Sequence, residues 1–182
     1  MSKNLILRLV GSFTFAFALC SCSTVFLNDS DVASLNVLGA PRTLEMHMHL
    51  TRAPESYTMD LFVEVRKQEL TIIGSSFGVR VFTLKYDGDQ IAEGAGTGLP
   101  FYVPNKLIVD DVILALSSKG SLERGLPKSC HLISAGDIEE IYCNENLLVS
   151  IKRQKTVDNN DQVLVERFQP EYKVNFIISE VK

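Results

Sequence analysis

Several things are missing from this chain, and each absence removes a class of function. No long block of Lys and Arg occurs, and the formal net charge is −4. Nucleic acid and anionic lipid surfaces call for clustered cations, so neither fits as a partner. No Gly-x-Ser-x-Gly elbow and no spaced nucleophile and base appear, which leaves a hydrolase or acyl transferase without its machinery. Histidine occurs three times. His47 and His49 would share one strand face, a spacing that can bind a metal, but only His131 remains to join them and no Cys or Glu constellation does. Asp110 and Asp111 are adjacent, so on a helix they point about 100° apart and make no facing catalytic pair. In a first helical turn they would simply complement the helix dipole. Cys130 and His131, as strand neighbours, point to opposite faces, and the imidazole does not activate the thiol. The reading is of a protein that is not an enzyme and carries no metal and no cofactor.

No apolar run reaches the roughly 20 residues of a membrane-spanning helix. The uncharged stretch 9–19, preceded by Lys3 and Arg8, has the length of a signal-peptide core. It ends in Leu19-Cys20-Ser21-Cys22, with a bulky aliphatic three residues before a cysteine and a small residue just before it. That pattern looks like a bacterial lipoprotein signal, with cleavage after Ser21 and lipidation of the Cys22 thiol. Cys20 suits the acceptor role less well, since Leu19 would then occupy the cleavage position; an ordinary secretory signal is the plainer alternative. Ser23 stands where Asp would favour inner-membrane retention in the Gram-negative lipoproteins this resembles. The resemblance therefore implies the outer membrane, at its periplasmic face. One acyl chain anchors marginally and two anchor stably, so a diacylglyceryl group on Cys22 suffices.

Removing residues 1–21 leaves 161, enough for one domain with a sizeable core. Losing Lys3 and Arg8 takes the formal charge from −4 to −6. Residues 22–42, with Ser, Asn, Asp, Gly39 and Pro41, read as a lipidated tether, and residues 43–182 as the domain. From Thr43 onward hydrophobicity alternates strictly: Leu44, Met46, Met48 and Leu50 fall on one face, Glu45, His47 and His49 on the other. Tyr57 to Val65 repeats that period. Strands follow at 70–73 and 79–86, joined through Gly74-Ser75-Ser76-Phe77-Gly78, and a return strand begins at Gln90 after Asp87-Gly88. A three-to-four spacing of Leu107, Ile108, Asp111, Leu114 and Ala115 predicts a short helix over 105–117, with Lys119-Gly120 as its stop. Alternation then resumes at 131–134, 138–143, 147–152, 163–168 and 172–178, with turns at Gly136-Asp137, Asn144-Glu145-Asn146 and Asn159-Asn160-Asp161. The predicted fold class is mainly β with a short helix, an antiparallel meander.

The run from Gly74 to Gly88 (GSSFGVRVFTLKYDG), followed by Asp111-Val112-Ile113-Leu114-Ala115-Leu116, resembles a family of small lipoproteins encoded in bacterial gene clusters for aryl polyene pigments. The likeness covers most of the mature chain. This sequence departs from it in having no Trp, where many members carry one after the helix and another in the late sheet. More distantly the layout is similar to the outer-membrane lipoprotein receptor LolB and its carrier LolA. That similarity implies a half-open antiparallel β-barrel with a helical lid over an apolar mouth. It also implies that Phe77 and Gly78 match a protruding loop that helps deliver acyl-bearing cargo into the membrane. A large aromatic in a small-residue loop is otherwise a lid over the barrel mouth.

Cys130 and Cys143 are expected to be bonded. The periplasm is oxidising, and if Gly136-Asp137 is a two-residue hairpin turn, residues pair when their numbers sum to 273, as 130 and 143 do. Leu61 and Val63 on a strand, with Ile108, Val112 and Ala115 on the helix, are expected to line or lid an apolar concavity. The expected function is an outer-membrane lipoprotein that accepts an acyl, polyene-lipid or lipoprotein cargo and assists its delivery, its partners being a lipid or acyl chain, the outer membrane and a periplasmic LolA-like carrier. The alternative is a structural lipoprotein of an outer-membrane assembly complex.

Overall fold

The computed structural model describes residues 35–94 and 103–181. The expected signal segment, Cys20, Cys22, the first part of the expected tether and the stretch around Pro100 lie outside the described residues. Among the described residues ten strands follow one another: β1 (Arg42–Arg52), β2 (Glu55–Val65), β3 (Leu70–Ser76), β4 (Val79–Tyr86), β5 (Ile91–Gly94), β6 (Cys130–Ala135), β7 (Ile138–Cys143), β8 (Asn146–Lys155), β9 (Asp161–Phe168) and β10 (Glu171–Glu180). They form a single antiparallel sheet in the order β5-β4-β3-β2-β1-β10-β9-β8-β7-β6. Two hairpin meanders are thus joined where the first strand pairs with the last. Among the described residues the sheet is not closed, and β5 and β6 are its edges. Mainly antiparallel β structure is what the alternation predicted, and the half-open sheet with helical cover is what the resemblance implied.

One face of each strand makes the core. Along β1 the inward residues Leu44, Met46, Met48 and Leu50 are buried while Glu45, His47 and His49 are exposed. Met59, Leu61, Val63 and Val65 continue that face on β2, and Tyr172, Val174, Phe176 and Ile178 on β10. Because the side-chain period of a strand is two, this alternation pins the register of every pairing.

A bulge interrupts the pattern once. Gly74 pairs with Phe82, but Ser75 pairs with Arg80, leaving Val81 as the extra residue. Val81 and Phe82 are consequently both buried. The Phe82 ring lies over Gly74, where a Cβ would overlap it. Glycine is therefore required there by close approach.

Helix α1 (Asn105–Leu116) lies against the concave face and buries every residue from Ile108 to Ala115. Such a helix, covered all round, is stabilised by packing rather than by local signals. Indeed Pro104 at its N-cap offers no side-chain hydrogen bond. It contacts both β4 and β9, between which β3, β2, β1 and β10 intervene. The helix therefore bridges the two halves of the curved sheet.

Three expectations need correction. Lys119-Gly120 is not a stop: it opens a second helix, α2 (Lys119–Gly125), because Ser118 caps it by accepting from the Ser121 N–H. The tether does not run free to residue 42. Leu35–Leu38 forms a 3-10 turn whose Val37 and Leu38 are buried against both helices, since an apolar Leu-Asn-Val-Leu segment gains by covering the end of the core. Asp110 and Asp111 lie in the middle of α1 and not in its first turn, and both are buried.

Candidate functional site: an exposed aromatic tip, a clamped helix and a charged mouth

Phe77 and Gly78 form the two-residue turn between β3 and β4. Gly74, Ser75 and Ser76, read as part of that loop, belong to β3 itself. Both turn residues have left-handed backbones, with φ of 50° and 74°, the conformation that two-residue hairpins require. The Phe77 side chain is 102 % exposed, and Val79, just beyond the turn, is exposed too. Ser75 Oγ and Ser76 Oγ donate to the backbone carbonyls of Asp60 and Thr58, so the stem below the tip is tied to β2.

The antiparallel order places the turns alternately at two ends of the sheet. The Phe77 tip shares its end with the β1–β2, β7–β8 and β9–β10 turns. At the other end are Arg42, where β1 begins, Glu180, where β10 finishes, and the β8–β9 turn. Phe77 thus stands at the end remote from the entry of the N-terminal segment.

Leu61, Val63, Ile108, Val112 and Ala115 are between 0 % and 4 % exposed and belong to one contiguous core between sheet and helix. They are packing residues here, with α1 occupying the concave face they were expected to open onto. Distinguishing a groove from a filled interior needs the helix position, which alternation along a strand does not carry.

Polar groups hold α1 in that place. Arg167 Nε donates to Asp111 Oδ1 at 2.6 Å and the Tyr172 hydroxyl donates to Asp111 Oδ2 at 2.6 Å. A second carboxylate, Asp110, approaches Arg167 Nη2 at 3.9 Å. All four side chains are buried. Burial pushes the Asp111 carboxyl above its ordinary range, against the pull of the Arg167 charge and the Tyr172 hydroxyl. For Arg167, burial alone would lower the pKa, but the Asp111 charge and its neighbours more than offset it and the guanidinium stays protonated. Burial and the same carboxylate raise Tyr172. Sequence reasoning missed this network. Its signal was parity: Arg167 falls in step with the inward Val163 and Val165, where an unpaired cation would be costly.

The last four carbonyls of α1 are all satisfied. Ser117 donates to Ile113 through both N–H and Oγ, at 2.9 and 2.6 Å. Arg153 donates through Nη2 to Leu114 and through Nη1 to Ala115, both at 2.8 Å. Arg42 Nη2 donates to Leu116 at 3.1 Å. A helix end leaves four carbonyls without intrahelical partners and carries partial negative charge. Two arginines from distant strands answer both needs.

These arginines border a cleft of about 940 Å³ at the end of the sheet where the chain enters. Its apolar floor includes Leu44, Val163, Ile178 and Leu116, and its rim carries Arg42, Arg153, Lys155, Asp158, Asp161 and Glu180. Lys155 pairs with Asp161 at 2.7 Å and Arg153 with Glu139 at 3.3 Å.

The remaining candidates fall elsewhere. His47 Nδ1 lies 2.8 Å from Asp60 Oδ1 and His49 Nδ1 lies 3.0 Å from Thr58 Oγ1, both on the exposed outer face. His131 stacks on Tyr142 at the far edge of the sheet. Cys130 and Cys143 are directly opposed in the β6–β7 register and joined by a disulfide, with Cα atoms 4.0 Å apart. That bond fastens edge strand β6 to its neighbour. Cys22 lies outside the described residues.

An open ten-strand antiparallel sheet wrapped on a buried helix defines the structural class. Within it, residues 43–178 match the family described as "Protein of unknown function (DUF3261)". The chain belongs to that family, and the matched stretch runs from the first strand of the sheet to the last. No curated protein matches the sequence.

Proposed function

We propose that this protein is an outer-membrane lipoprotein of the periplasmic face, anchored through a lipidated Cys22, that accepts an acyl, polyene-lipid or lipoprotein cargo and assists its delivery to the membrane. The observation that carries the reading is the Phe77 tip: a large apolar side chain held in full solvent by a rigid two-residue turn. A lone exposed aromatic of this kind gains about 1.5–3 kcal/mol when it enters an apolar phase. The half-open sheet is the part of the architecture that supports a carrier role; α1, held by Arg167 and Tyr172, fills its concave face. A periplasmic LolA-like carrier is the natural donor of such cargo.

The tether is long enough for delivery. From Cys22 to Leu35 the chain reaches at most roughly 45 Å, and a strand of the length of β1 spans roughly 37 Å. The domain can therefore turn its Phe77 end to the bilayer that holds its anchor.

A structural role in an assembly complex is favoured by one other observation. Among the described residues both sheet edges, β5 and β6, are open, and an open edge can recruit a partner strand.

The test pairs two variants. Phe77→Glu should fold as the wild type, within about 0.5 kcal/mol as for other exposed sites, yet lose binding to phosphatidylethanolamine vesicles and transfer of a fluorescent acyl probe into them. Cys22→Ser should take no label from a fatty-acid probe and leave the outer-membrane fraction. Transfer undiminished in Phe77→Glu would return the role to the scaffold reading. A Cys22→Ser protein that stayed labelled and membrane-bound would overturn the anchor.

A further inference from the structure

The cleft at the chain-entry end combines an apolar floor with a rim whose charges are not all matched to one another. On this face Arg42 follows the inward parity of Leu44, and Glu180 that of Ile178. Leu44 and Glu180 are register partners, so Arg42 and Glu180 are diagonal neighbours, with Cα atoms about 7–8 Å apart. They nevertheless form no ion pair. Arg42 makes one hydrogen bond among the described residues, from Nη2 to the Leu116 carbonyl, and its Nε is sealed from water with no acceptor. A guanidinium has five donors, and with Nε sealed and Nη2 on Leu116, those of Nη1 make no hydrogen bond among the described residues and are the ones left for an anion. Lys155 and Asp161 neutralise each other, as do Arg153 and Glu139. Among the described residues, the rim groups without an ion-pair partner within 4 Å are then a cation, Arg42, and two anions, Asp158 and Glu180, around one opening.

We infer that this mouth binds a single-chain amphiphile with a zwitterionic head, its oxyanion on Arg42, its ammonium toward Asp158 and Glu180, and the first part of its chain on Leu44, Val163 and Ile178. A purely anionic head would meet two carboxylates, and a purely cationic one would meet Arg42, so the balance of rim charges selects a head carrying both signs. The volume of about 940 Å³ is of the size of small-molecule sites. The inference rests on the acyl-cargo reading and adds to it a place of entry and a head-group class, at the end of the sheet opposite Phe77.

Binding of lysophosphatidylethanolamine to the mature protein, measured by calorimetry below its micellar concentration, tests this. Myristate and lysophosphatidylglycerol serve as anionic comparisons, and dodecyltrimethylammonium as the cationic one. The wild type should prefer the zwitterion. Arg42→Gln should weaken it about tenfold, the loss of one charge-assisted contact. Asp158→Asn with Glu180→Gln should erase the preference over lysophosphatidylglycerol while leaving the fold intact, since both residues are on the surface. Thermal unfolding of Arg42→Gln separates lost contact from lost helix clamping, and the acidic pair decides the matter if that variant unfolds. Equal binding of all four probes, or binding unaffected by the acidic pair, overturns the head-group site and leaves the carrier reading standing. Failure of every probe to bind the wild type overturns the site as well, and the Phe77 vesicle experiment then judges the carrier reading independently.

Discussion

Arg167 on β9 donates through Nε to Asp111 on α1 across 2.6 Å, inside the core. This contact ties the helix to the sheet, and Tyr172 completes it from β10. Burying a charge is tolerable only with a partner, and removing one partner strands the other. The ion pair is thus a condition for where the helix lies more than a source of net stability.

Asp111→Asn should therefore destabilise the domain by about 3–5 kcal/mol, the usual cost of breaking a buried pair. The double variant Asp111→Leu, Arg167→Met should lose less, because these two charges leave together; the remaining loss comes from the Tyr172 hydroxyl, which loses its acceptor, and from buried Asp110, which loses Arg167. Urea unfolding of both proteins checks this. A double variant no more stable than the single one would show that the pair is needed for reasons other than mutual neutralisation.

Gly74→Ala should cost about 1–3 kcal/mol, since its Cβ would occupy the space of the Phe82 ring. Adding Phe82→Leu should recover part of the loss by clearing that space. If Gly74→Ala melted at the wild-type temperature, the close packing at the bulge would be wrong.

Cys143→Ser should cost about 3 kcal/mol, the chain-entropy value for closing a loop near 15 residues; the two cysteines are 13 apart. Fraying should concentrate on β6, the edge strand the bond retains. Hydrogen exchange that rose equally across all ten strands would contradict this. So would free thiols at both positions in unreduced, denatured protein.

In the β4–β5 turn, Asp87 Oδ1 accepts from the N–H groups of Gln90 and Asp89. These bonds favour the ionised carboxylate and lower its pKa below the ordinary 3.8. A depressed folded pKa contributes stability that is complete above the unfolded value. That stability is lost as pH falls through the folded one. The stability gap between wild type and Asp87→Ala should then be constant near neutrality and shrink below about pH 4. An NMR midpoint for Asp87 at or above the unfolded value would refute the assignment.

What could be read in the sequence was what period and turn chemistry encode. Leu44, Met46, Met48 and Leu50 announced an inward face because consecutive strand side chains point to opposite sides. Gly136-Asp137 set a register that brought Cys130 opposite Cys143. The three-to-four spacing of Leu107, Ile108, Asp111, Leu114 and Ala115 announced α1, whose limits, Asn105–Leu116, fall within a residue of those predicted. All of these are local relations, fixed within one strand, one hairpin or one helix.

Longer-range relations emerged only on folding. Asp111 meets Arg167 over 56 positions of chain and Arg153 meets Leu114 over 39, and no periodicity links residues so far apart. Val81 and Phe82 are both buried because a bulge, invisible in the alternation, shifts one strand against its neighbour. Leu35–Leu38 became part of the core because helices α1 and α2 stand where its side chains can pack. The order of residues was enough to say which of them must leave water. What each would meet there waited on the folded chain, because burial is a property of a residue whereas a contact is a property of a pair.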